Sequence, residues 1–100
     1  NLRAMHMAVY KAAEGICQLR AAQSDAAAAH LGEAAGLLKE FAASAPTWPF
    51  QGIIHGYAAI ALLKAGQRAA AKQLIEPWKQ IALTTLDPPA RKLVQTEVLA

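Results

Sequence analysis

The sequence predicts an all-α fold, and three observations carry the prediction. Alanine, which loses no side-chain entropy in a helix, fills about a quarter of the 100 positions. Strand-favouring Val, Ile and Thr are scattered rather than alternating. Apolar residues recur at three- and four-residue intervals, the spacing that lines one face of a helix. A chain of this length makes one domain and buries roughly two-thirds of the surface it exposes when unfolded.

Met5, Ala8, Val9, Ala12, Ile16 and Leu19 mark a first helix from Leu2 to Ala22. Gln23-Ser24-Asp25 interrupts it, and Ser24 or Asp25 can cap a second helix by accepting a bond from its free amides. That second helix, from Asp25 to Ala43, is expected to bury Ala27, Leu31, Ala34, Leu38 and Phe41. Pro46 and Pro49 make Ser44–Pro49 the clearest break, because proline lacks an amide hydrogen and disfavours the helical region for the residue before it. A third helix follows from Phe50 to Lys64, and Gly66, free to take a positive φ, ends it in the turn Ala65-Gly66-Gln67. The fourth runs from Gln67 to Thr84 and should kink or split at Pro77. Asp87-Pro88-Pro89 caps and starts a fifth, with Ala90, Leu93, Val94 and Val98 on its apolar side.

Short turns between helices make sequence neighbours pack antiparallel. The expected architecture is therefore hairpin one over residues 2–44, hairpin two over 50–84 and a capping helix over 88–99. One apolar block occurs twice. Ala34, Leu37, Leu38 and Phe41 stand 37 residues before Ala71, Leu74, Ile75 and Trp78, as in a duplicated helical unit. The first helices align instead at an offset of 43, through Ile16 with Ala59 and Leu19 with Leu62. The chain opens in helical pattern and without Met, which reads as a piece of something longer.

Ala34, Leu38 and Pro46 have the small, large and proline spacing of the second helix of a tetratricopeptide repeat, which this stretch resembles. Ala71 and Ile75 match in the second copy, with Gly66 five residues before Ala71, while Ala58, Ala59 and Leu62 take the small-small-large positions of the family's first helix. Leu83 stands where the second proline would be, and the spacing exceeds the family's usual repeat of about 34 residues. The resemblance covers roughly residues 12–84. It implies two stacked hairpins in a right-handed superhelix whose first helices line a groove for a peptide or partner helix. On this chain the groove would lie between the first and third helices, with Tyr10, Gln18, Gln51 and His55 as partner-binding candidates.

Other chemistry finds little support in the residues. The formal charge is +3, with Lys64, Arg68, Lys72 and Lys79 supplying most of the excess, too dispersed and too poor in aromatic neighbours for nucleic-acid binding. The longest apolar run, Tyr57 to Leu63, falls far short of the roughly 20 residues of a membrane span. Cys17 lies between Ile16 and Leu19 and reads as a buried, inert thiol. His6, His30 and His55 invite a histidine phosphotransfer reading, but Glu33 follows His30 at the third position and would repel phosphate. Glu33, three residues after His30, is at a spacing a metal could use, but no second pair accompanies it. The expectation is a non-catalytic protein-interaction module without metal or cofactor, cytoplasmic by preference and bacterial in type, and able to self-associate. The alternative is a helical ligand-binding or dimerisation domain of a regulator, its pocket lined by Met5, Met7, Phe41, Trp48, Phe50 and Trp78. Trp48 and Phe50 are otherwise expected to plug the seam between hairpins.

Overall fold

The computed structural model describes residues 2–41 and 48–100, and every regular element among them is helical. The order is α1 (Leu2–Arg20), α2 (Ser24–Leu38), α3 (Pro49–Lys64), α4 (Arg68–Ile75), α5 (Lys79–Thr85) and α6 (Pro88–Leu93). A 3-10 turn, Lys39–Phe41, continues α2, and a π turn, Val94–Val98, continues α6. Pro46 and the rest of the 42–47 break lie outside the described residues. Pro49 takes the first position of α3, where its missing amide hydrogen costs no helical bond.

The break at Pro77 is a 3-10 turn, Glu76–Trp78, which divides the expected fourth helix into α4 and α5. Asp87 caps α6, its carboxylate accepting from the Ala90 amide at 3.5 Å. The cap of α2 differs from expectation. Gln23 holds the cap position and makes no side-chain bond there, while Ser24 and Asp25 lie in the first turn. Asp25 still places its carboxylate at the positive end of the helix.

The turns after α1 and α3 share one hydrogen-bond pattern. In the first, Ala22 donates to Leu19 O at 3.0 Å and Gln23 to Gln18 O at 2.9 Å. In the second, Gly66 donates to Leu63 O at 3.1 Å and Gln67 to Leu62 O at 2.8 Å. Both are Schellman closures with the key residue in the left-handed region, Ala22 at φ 60° and Gly66 at φ 82°. Each partner in one turn stands 44 residues from its counterpart, and Ala27 donating to Gln23 O is matched by Ala71 donating to Gln67 O. The register between second helices is therefore 44, pairing Ala27 with Ala71 and Leu31 with Ile75, all fully buried. The offset of 37 differs by seven residues, two helical turns, so the apolar stripe looks alike in both alignments.

Helices pack on their neighbours in sequence: α1 along α2, α2 along α3, and α3 along α4 and α5. Lys11 pairs with Glu33 and Glu14 with His30, so the chain order on α1 runs against that on α2. Ala8, Ala12 and Gly15 let α2 approach, and the Gly15 position lies against Leu31. Gly52 plays the corresponding part on α3: a Cβ there would stand 2.6 Å from the Ile81 carbonyl oxygen of α5. Leu31, Leu38 and Ile54 fill one apolar cluster, and Ile75, Leu86 and Val94 fill a second on the other side of α3.

Candidate functional site

The large apolar side chains of the core are covered, yet four others are exposed: Leu2, Met7, Tyr10 and Phe50. Leu2, Tyr10 and Phe50 line one open groove of about 560 Å³ between the first half of α1 and the start of α3. Met5, Val9, Ala13 and Trp48 also line it. The α1 residues stand at helical spacing on a stripe distinct from the Ala8, Ala12 and Gly15 face that packs on α2. Trp48 and Phe50 lean together with ring centroids 5.1 Å apart. Phe50 is 39 % exposed and lines the groove, whereas Trp48 is half-buried, packed on the first apolar cluster as well as facing the groove. Of the four candidate residues only Tyr10, 74 % exposed, lies in this groove.

A smaller cleft of about 230 Å³ follows along the same two helices, between the ends of α1 and α3 and the start of α6. Leu19 and Ile60 contribute apolar surface, and Arg20 and Lys64 are exposed at its edge. The Tyr57 hydroxyl donates to the Asp87 carboxylate here. Burial and that bond push the phenol up to about 12. The same bond is the main cause holding the Asp87 carboxyl below its usual value.

His55 and Gln51 face elsewhere. The His55 Nδ1–H donates to the Gln51 carbonyl at 2.8 Å, and the ring stacks on Trp78 at 4.6 Å beside a cleft bounded by Lys39, Leu74 and Pro77. Burial pushes its imidazole below the usual histidine value. The Gln51 side chain is fully buried and neither atom of its carboxamide has a hydrogen-bond partner. Gln18 is committed to hairpin packing, since its Oε1 sits 2.8 Å from His30 Nδ1, and His30 Nε2 lies 2.9 Å from Glu14. His6 borders the groove.

Cys17 is exposed, contrary to the expected buried thiol, because it falls on the α1 face that α2 leaves open. Three of the four basic residues singled out in the second half have separate surroundings. Arg68 donates to the Glu97 and Ala100 carbonyls, Lys79 pairs with Glu76, and Lys64 ends α3. Among the described residues no group of three His, Cys, Asp or Glu side chains is placed to hold a metal ion. No described helix is long and apolar enough to cross a membrane.

Comparison of the chain with protein-family models, with curated proteins and with solved structures finds no match. Sequence reasoning passed over Tyr57 and Arg20 as site residues, named Phe50 only for the alternative ligand pocket, and weighed Lys64 only with the dispersed basic residues. A signal existed for all four: Phe50, Tyr57 and Lys64 stand seven apart, as do His6, Ala13 and Arg20, so each set lies on one helical stripe.

Proposed function

We propose that this chain is a non-catalytic protein-interaction module that receives a peptide or partner helix in the groove between α1 and α3. Its helices form two stacked hairpins in the manner of tetratricopeptide repeats, with α6 as the cap. The repeated Schellman turns support the stacking, although a period of 44 residues is longer than the roughly 34 of that family. One observation carries the functional reading: three of the four exposed large apolar side chains among the described residues converge on a single groove. Contiguous exposed apolar surface is costly in water, and a covering partner removes that cost at roughly 25 cal/mol per Å². The groove is open rather than enclosed, which suits a chain segment better than a sequestered small molecule.

The test is selection of random 20-residue peptides displayed against the chain, with a Tyr10→Glu/Phe50→Glu variant as counter-target. The proposal expects peptides with several large apolar residues to be enriched on the wild type and lost on the variant. Equal enrichment on both refutes it. Circular dichroism confirms that the variant keeps its helices; both positions are exposed, so the fold should survive.

A further inference from the structure

The groove and the basic cleft behind it belong to one recognition surface, and their order defines the partner. On α1 the stripe His6, Ala13, Arg20 passes from the groove to the cleft, and on α3 the stripe Phe50, Tyr57, Lys64 does the same. The early residues of α1 lie beside the first residues of α3 and the late beside the late, so the two helices run the same way. From Tyr10 to Arg20 the axial rise is about 15 Å. One end of this track is apolar and aromatic; the other carries two cations, Arg20 and Lys64, against one carboxylate, Asp87.

Both cations are exposed. Arg20 and Lys64 form no ion pair among the described residues, although the charge of Arg20 reaches Asp87 and Tyr57. The carboxylate in the cleft, Asp87, is already occupied by the Tyr57 hydroxyl and the Ala90 amide. Along the track itself α3 has no Asp or Glu, and the single acidic residue of α1, Glu14, is turned to His30. The two cations also sit at helix C-termini, where they complement the macrodipole.

Resting on the interaction reading above, we infer that the partner is an amphipathic helix with acidic residues along its flank. Its apolar stripe fills the Tyr10–Phe50 groove and its carboxylates lie over Arg20 and Lys64. A helix is the fitting occupant because the open residues of α1, among them Leu2, Met5, Val9 and Ala13, repeat at three- and four-residue intervals. That is the spacing at which side-chain ridges of one helix seat against another. Charge complementarity then selects the acidic one among helices of equal apolarity.

Three synthetic helical 20-mers test this, sharing one leucine stripe at i, i+3, i+4 and i+7 and differing only in polar positions filled with Glu, Lys or Gln. Binding is read by fluorescence anisotropy at low and high salt. The wild type is expected to bind the Glu peptide about tenfold more tightly than the Lys peptide, with the difference shrinking at high salt. Arg20→Glu/Lys64→Glu, both exposed changes, should reverse that order. Equal or stronger binding of the Lys peptide by the wild type overturns the inference, as does an order unchanged by the charge reversal. Failure of all three peptides while displayed peptides still bind overturns the helical acidic partner and leaves the groove reading standing. Binding of all three that is unaffected by Tyr10→Glu/Phe50→Glu refutes the groove reading itself.

Discussion

Replacing Gly52 by Ala places a methyl group where α3 and α5 touch. The new Cβ would lie 2.4 Å from Thr85 Oγ1 and 2.6 Å from the Ile81 carbonyl oxygen, against an ordinary contact of 3.4 Å or more. Neither obstacle yields locally, because Thr85 Oγ1 donates to that same carbonyl at 2.7 Å and the carbonyl is helix backbone. The helices must separate by roughly 1 Å, which forfeits a quarter to a half of the dispersion attraction at each contact along the seam. Overpacking of this kind costs about 1–3 kcal/mol, partly offset by the roughly 1 kcal/mol that Ala gains over Gly in a helix. The net expectation for Gly52→Ala is a loss of up to about 2 kcal/mol. Gly36 is the control: a Cβ there meets nothing within 4 Å, so Gly36→Ala keeps only the propensity gain of about 1 kcal/mol. Urea unfolding followed by circular dichroism should move the two midpoints in opposite directions. A Gly52→Ala midpoint at or above wild type refutes the close approach of α3 and α5.

Leu38→Ala and Ile75→Ala each remove a fully buried side chain and should cost about 2–5 kcal/mol, read from the same urea curves; near-neutral values at both would remove the core assignment. Ala22 holds φ 60° without glycine, so Ala22→Gly should raise stability by about 0.5–1 kcal/mol, and Gly66→Ala, at φ 82°, should lower it by about 1 kcal/mol. Thermal melts decide both signs. His55 is held below its usual value by burial, so the unfolded state binds the proton more readily than the folded one. Its contribution is present above the unfolded value of about 6.5 and is lost as pH falls from there through the depressed folded value. Wild type should therefore lose stability on acidification more steeply than His55→Gln, measured by urea midpoints from pH 7.5 to 5. Parallel curves would contradict the buried, neutral ring.

Much of the helical framework was legible because its signals are local. Pro77 divided a helix, Asp87 capped one, and Gly66 took a positive φ, each through the chemistry of a single residue. The α2 cap failed as an expectation because Ser24 and Asp25 offer the same chemistry as a cap residue while the Schellman turn at Ala22 sets the helix start one residue earlier. Periodicity fixed which face of each second helix is buried but left the register open by seven residues, since two turns restore the same stripe. The site was harder to read. His55 and Gln51 drew attention as polar residues in an apolar stretch, and that pattern equally describes a side chain enclosed between helices, which is where both lie. Tyr10 drew attention by the same contrast and does lie in the groove, whereas Phe50 carries no such contrast. Their exposure depends on which neighbour covers α1 and the start of α3, a tertiary fact.

The central claim, that a partner lies in the Tyr10–Phe50 groove, is tested most directly by tryptophan emission. Trp48 lines the groove, whereas Trp78 is stacked on His55 beside a different cleft. Titrating a groove-selected, tryptophan-free peptide into Trp78→Phe should shift the remaining Trp48 emission to the blue with saturation, and titration into Trp48→Phe should leave Trp78 unchanged. A saturable change confined to Trp78, with Trp48 silent, would place the partner elsewhere and contradict the account.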